Sequence, residues 1–212
     1  MNENIIIRNE KLAQKVIKGL ESRNMTGYYA ADKDEALKIA LNLIPENSSV
    51  TMGGAMSARE IGLYDAVKNG NYNFIEREGL TDPESKRAAT LAGYDADYFL
   101  SSANAMTEDG VLVNIDGNSN RVSMIAHGPK HVIFIVGMNK VCPDVDSAMK
   151  RARNVAAPIN AQRFGLSTPC AKTGLCMNCK SPDTICCQFL VTRYSRHAGR
   201  IHVIMVNDNL GF

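Results

Sequence analysis

Tryptophan is absent and aromatic residues make up only 6% of the chain, so the base-stacking platforms of single-strand nucleic-acid binders are excluded. A surplus of one charge is missing too. Twenty-four Lys and Arg stand against 22 Asp and Glu, a net +2, and no strongly basic stripe marks a nucleic-acid footprint. Long hydrophobic runs are also lacking: His131–Met138 is too short to cross a bilayer and reads as a buried strand. Met1–Arg8 has no basic start leading into a long apolar stretch, so no signal peptide is expected and the natural compartment is the cytoplasm. Neither a Walker nor a dinucleotide glycine spacing occurs.

Forty-five per cent of the 212 residues are hydrophobic, enough to bury one core, and no linker or repeat divides the chain. Residues 1–212 are therefore expected to form one α/β domain with a mostly parallel central sheet flanked by helices. Helices are expected from about Asn9 to Ser22, from Asp32 to Pro45, from Ser57 (with Glu60 in the reciprocal capping position), over Pro83–Ala92 and from Asp144. In the last of these, Val145, Ala148, Met149, Ala152 and Val155 would face inward and Lys150, Arg151 and Arg153 outward. Strands are expected at 48–52, 73–76, 98–101, 132–136, 189–192 and 201–206. Val111–Ile115 and Arg121–Ile125 flank the turn-rich Asp116–Asn120 and read as a hairpin.

Three segments carry candidate chemistry. Thr51-Met-Gly-Gly-Ala-Met-Ser57 places two glycines between a strand and a helix, where Gly53, Gly54 and Ser57 would meet an anion such as a phosphate or carboxylate. Its plainer reading is an ordinary strand–helix turn. Ser102–Gly110 follows a strand, so Asn104 and Thr107 are expected to hydrogen-bond a substrate, with Glu108 or Asp109 as base or nucleophile. Against this, Glu108-Asp109-Gly110 is also what a solvated turn looks like. In Asp116–Arg121, Asn118 is a candidate ligand contact and Arg121 a guanidinium fork for an anion, although turn chemistry alone explains the Asn and Gly. His127 and His131 read first as local hydrogen-bonding groups.

Five of the six cysteines fall between 170 and 187, spaced C-x5-C-x2-C-x6-C-C, in a loop of about 167–188. In a reducing cytoplasm such thiols favour a metal over disulfides. Cys170, Cys176 and Cys179 would be ligands, with Cys186 or Cys187 as the fourth, around either zinc or an iron–sulfur cluster. Zinc ribbons pair two Cys-x2-Cys units and ferredoxins repeat the x2 spacing. The chain does neither, so the metal stays open, as does a thiol redox switch.

Gly53-Gly-Ala-Met-Ser57, the run Ser101–Val122, Gly137-Met-Asn-Lys-Val141 and the Cys-rich tail together resemble the LUD domain of bacterial lactate-utilisation proteins. The resemblance covers most of the chain and is most specific from Thr107 to Val122. The tail is similar to that of short, Cys-rich bacterial members. The resemblance implies a fold similar to the ribose-5-phosphate isomerase, glucosamine-phosphate deaminase and CoA-transferase superfamily. Members of that superfamily bind sugar phosphates or CoA esters at strand ends, with a Gly-rich loop like 53–57 and an acidic segment like 107–110. CoA transferases attack a thioester with a glutamate, and Glu108 lies near that region, although Asp109 interrupts the glutamate–glycine pattern.

The function implied is that of a subunit or accessory factor in oxidation of L-lactate or a similar small hydroxy acid, with a Cys-bound metal centre. A small anionic metabolite and an iron–sulfur oxidoreductase subunit are the expected partners, a homodimer the expected assembly, with neither nucleic acid nor membrane. A stand-alone enzyme on a phosphorylated sugar or CoA ester, and a thiol redox switch, are the competing readings.

Overall fold

Short apolar segments alternate with amphipathic ones throughout the computed structural model, which describes residues 2–212; of the expected span 1–212 only Met1 lies outside the described residues. In chain order the elements are α1 (Glu3–Ser22), β1 (Thr26–Ala30), α2 (Lys33–Asn42), β2 (Ser49–Met52), α3 (Met56–Glu60), α4 (Leu63–Asn69), β3 (Asn73–Ile75), α5 (Pro83–Tyr94), β4 (Tyr98–Ser101), β5 (Ala105–Thr107), β6 (Leu112–Asp116), α6 (Asn120–Ala126), β7 (His131–Gly137), β8 (Val141–Cys142), α7 (Val145–Arg151), α8 (Ala157–Arg163), α9 (Pro169–Thr173), β9 (Gln188–Thr192) and β10 (Ile201–Val206). Cap signals in the sequence hold locally. Asp32 accepts from the Glu35 amide at 2.8 Å, Asp144 from Ser147 at 2.7 Å, and α5 opens on Asp82 and Pro83.

Six strands pair in parallel in the order β1-β10-β7-β4-β2-β3. A parallel sheet covered on both faces needs strands that are apolar throughout. In β7, Ile133 and Ile135 point into a core with α2, α3 and α4, while Val132, Phe134 and Val136 point into a second core against α1 and α6. That is why the run 132–136 shows no alternation. A smaller sheet, β8-β5-β6-β9, packs on α7 through Ala105, Val113, Ala148 and Ala152. No helix among the described residues is long and apolar enough to cross a membrane.

Three local expectations are corrected. Arg121–Ile125 is not a hairpin strand but most of α6. Ser119 turns the chain at φ +62°, and the Asp116 carboxylate accepts from the Arg121 and Val122 amides at 2.9 and 3.1 Å, nucleating a helix. The antiparallel partners of β6 are β5 and β9 instead. The helix from Asp144 does not run regularly, because a π turn at Ala152–Ala156 separates α7 from α8. Pro158 has no N–H to give to the Asn154 carbonyl, so the ladder shifts by one residue at that point. Val155, within the π turn, is exposed; in α7 itself Val145 is exposed as well, and Arg151, expected outside, is half-buried and donates to the carbonyls of Asn139 and Asn104. Finally, Ser57 does not cap α3, and Glu60 reaches the Gly211 amide at 2.9 Å rather than back to the helix start.

Candidate functional site

Parallel strands end together, and their carboxyl ends leave a crevice where chain turns are free to carry polar groups. Here the turns after β2, β3, β4, β6 and β7 converge on a cavity of about 610 Å³. Gly53 and Gly54 form one wall, Arg77 and Glu78 another, and Ser102 with Asn104 a third. Arg121 enters from α6, Lys140 from the turn after β7, and Arg163 with Phe164 from the end of α8. Ile185, from the cysteine loop, completes the rim. That loop is therefore part of the wall: Ile185 lies against Gly117, and the Cys187 amide donates to the Asp116 carbonyl at 3.0 Å.

The lining is basic. Arg77, Lys86, Arg121, Lys140 and Arg163 face Glu78 and Asp116, and both carboxylates are engaged elsewhere. Glu78 pairs with Arg59 at 2.6 Å and accepts from the Gly54 amide at 2.9 Å, while Asp116 caps α6. Gly54 sits at φ +53°, which presents its N–H to that acceptor and strains any side chain. Arg121 is held by the Asn104 carboxamide oxygen at 3.1 Å and by the Ile115 carbonyl. Burial lowers its affinity for its proton, Asp116 opposes that from a distance, and nearby Arg163 adds a smaller push downward. The Arg77 Nε is buried without a hydrogen-bond partner, its Nη1 rests against the Met124 sulfur, and burial again disfavours its charge. Guanidiniums crowded together and short of carboxylates are an arrangement that an anion relieves.

At the bottom of the cavity Lys140 is 2% exposed, its Nζ 3.1 Å from Ser57 Oγ and 3.0 Å from Ser102 Oγ, with the two hydroxyls 3.3 Å apart. Burial first, then the charge of Arg151, bring its ammonium down to about 7; Glu60 pulls the other way, and Arg121 adds the smallest push downward. The neutral amine is therefore favoured here far more than at an exposed lysine.

Sequence comparison now bears on the same residues. The profile of the LUD domain matches residues 13–206. The chain belongs to the LUD domain family. That family is associated with lactate utilisation. Among solved structures, a DUF162 family protein from Deinococcus radiodurans is similar at 12% identity and a TM-score of 0.52, covering 94% of this chain and 98% of that one. At that identity the likeness speaks for the fold alone. Among curated proteins none matches.

In this LUD domain the candidate residues divide. Gly53, Gly54, Asn104, Asn118 and Arg121 all line the cavity, and Ser57 lies directly beneath it on Lys140. Thr107 and Glu108 are not among the lining residues. The Thr107 hydroxyl accepts from the Val111 amide and bonds Asp109, while Glu108 pairs with Lys15 of α1 at 2.6 Å and Asp109 with Arg23. The turn after β5 points toward α1 because β5 belongs to the smaller sheet, so its acidic pair staples that helix. Ser102 opens the expected segment 102–110 but was given no role of its own, and Lys140, Arg77 and Arg163 were not foreseen as site residues. A lysine closing Gly137-Met-Asn-Lys-Val141 straight after a wholly apolar strand was the available signal for Lys140. The arginines come from separate elements and left none.

All six thiols are free. Cys186 is pushed up to about 11 by burial first and then by Cys176, Cys170 and Cys179, so these four share one neighbourhood, while the Cys187 thiol donates to the Thr184 carbonyl. Charge is felt over many ångströms, whereas zinc needs sulfurs at about 2.3 Å. Among the described residues no three of His, Cys, Asp and Glu are gathered closely enough to hold an ion. Cys176 instead accepts from the Arg153 guanidinium at 3.6 Å, and Cys170 lies 3.2 Å from the Thr168 hydroxyl.

Proposed function

We propose that this LUD domain protein binds L-lactate or a similar small hydroxy acid in the strand-end cavity, as a subunit or accessory factor in its oxidation. The observation that carries the reading is the set of guanidiniums of Arg77, Arg121 and Arg163 lining one cavity, none within ion-pair reach of a carboxylate among the described residues. A carboxylate would take the guanidiniums. The 2-hydroxyl would then lie toward Lys140 and Ser102, where an uncharged amine accepts its proton. Oxidation also breaks the Cα–H bond; its electron pair would pass to an iron–sulfur oxidoreductase partner and its proton to solvent. Titration calorimetry tests the binding step: saturable heat with L-lactate, weakened about tenfold or more in Arg163→Gln, supports it, and equal heats with L-lactate and uncharged propane-1,2-diol contradict it.

The cavity is larger than a three-carbon acid needs, which favours a phosphorylated sugar or CoA ester as the second reading. The same titration with ribose 5-phosphate separates the two. For the loop, the shared neighbourhood of Cys170, Cys176, Cys179 and Cys186 supports a metal centre gathered by these four, with Cys187 outside it. Their sulfurs would have to draw together on binding. Elemental analysis and visible absorbance of protein purified without oxygen test this: about one zinc, or an iron–sulfur spectrum, supports the centre. Metal-free protein with titratable thiols contradicts it and leaves the redox switch.

A further inference from the structure

Holding an anion does not call for a buried amine. Lys140 stands at the floor of the crevice and lines it, with α3 contributing Ser57 and Glu60 on one side, the turn after β4 contributing Ser102, and Arg121 and Arg151 nearby from α6 and α7. The C-terminal tail packs on its other side, where a Cβ on Gly211 would come within 3.2 Å of Nζ and 2.9 Å of Ser57 Oγ. Among the described residues no carboxylate lies within ion-pair reach of Nζ, and its only close partners are two hydroxyls able to give or take a proton. A lysine kept merely for charge would be expected to have a counter-ion.

We propose that Lys140 is a carbonyl-reactive amine that captures a small 2-oxo acid as an imine, the acid's carboxylate held by Arg77 and Arg121. The proposal rests on the reading that this cavity takes small hydroxy or oxo acids, and it adds a covalent step. The Nζ lone pair forms a bond to the carbonyl carbon as the C=O π pair moves onto oxygen. A proton passes from nitrogen to that oxygen through the Ser102 hydroxyl, giving a carbinolamine. Loss of water, aided by a second proton from the same hydroxyl relay, leaves the C=N bond. No oxidant or reductant is consumed. The carbon so activated is the carbonyl carbon of the oxidised counterpart of a 2-hydroxy acid, so the same pocket would hold both members of the pair.

The experiment is reductive trapping on the full chain. Protein is incubated with pyruvate near pH 7.5, treated with sodium borohydride, digested and mapped by mass spectrometry. The expected result is a mass gain equal to pyruvic acid less one oxygen atom on the peptide carrying Lys140, suppressed by excess L-lactate. An amine with a value of about 7 has a neutral fraction at pH 7.5 roughly several hundredfold above that of an ordinary lysine, so labelling there is expected to be far faster. Adduct spread over exposed lysines such as Lys15 and Lys172 with Lys140 unmodified, or no adduct at all, overturns the proposal. Mapping needs no variant, and Lys140→Arg, where it folds, should lose the adduct. Calorimetric binding of L-lactate with Lys140 unmodified removes the imine and leaves the pocket; neither binding nor adduct removes both.

Discussion

Lys140 dominates the residue scale because its environment and its chemistry have the same cause. Removal from water, reinforced by Arg121 and Arg151, makes the ammonium expensive, so the folded chain releases a proton that the unfolded chain keeps. Between a folded value of about 7 and the ordinary lysine value near 10.4 the unfolded state binds more protons, and stability rises with pH across that window. Below about pH 7 both states are charged and the full penalty is present. Lys140→Met is therefore expected to melt above the wild type near pH 6, by roughly 1–3 kcal/mol. Loss of the Ser57 and Ser102 hydrogen bonds offsets part of the gain. The difference should shrink as pH rises toward 10. A variant less stable at every pH, by an unchanged margin, would contradict a buried, charge-averse lysine. Glu108, by contrast, looked catalytic in sequence and serves as an ion-pair partner of Lys15. Residue type alone cannot separate those two uses of a carboxylate.

At the scale of elements, α6 shows how one side chain builds part of the site. Asp116 ends β6, turns its carboxylate onto three amides (Gly117, Arg121 and Val122), and so fixes the first turn that carries Arg121 into the cavity. Asp116→Ala should cost about 1–2 kcal/mol in urea unfolding and should weaken anion binding at the same time. Unchanged affinity alongside lost stability would show that Arg121 is positioned by Asn104 and Ile115 alone. The helix was hidden because Arg121–Ile125 alternates like a strand, and nothing local announces that Ser119 adopts a left-handed turn. The π turn was hidden for a similar reason. Pro158 was visible, but its effect is to rotate the stripe it interrupts, burying Ala156 and Ala161 while exposing Val155. Where a cap or a fully apolar run speaks locally, as at Asp32, Asp144 and 132–136, sequence and structure agree.

For the whole molecule, the alternation of strands and helices and the paired-face burial of β7 made the parallel sheet legible, and the strand-end rule pointed to its carboxyl edge. The glycine turn, Asn104, Asn118 and Arg121 could be found because each lies within a few residues of the end of a strand that was legible in the sequence. Arg77 and Arg163 could not, since they reach the cavity from a loop after an edge strand and from the far end of an interrupted helix. Only the tertiary fold brings these charges together. Likewise only the fold brings the cysteine loop, through Ile185 and the Cys187 amide, to one wall of the cavity.

Whether this cavity receives a small organic acid through its guanidiniums is read most directly by calorimetric titration of the intact chain with L-lactate at two salt concentrations. Saturable binding is expected that weakens as salt rises, is reduced about tenfold or more in Arg163→Gln, and is absent for propane-1,2-diol. Binding of the diol with the same heat and affinity, or no binding of the acid to folded protein, would contradict it.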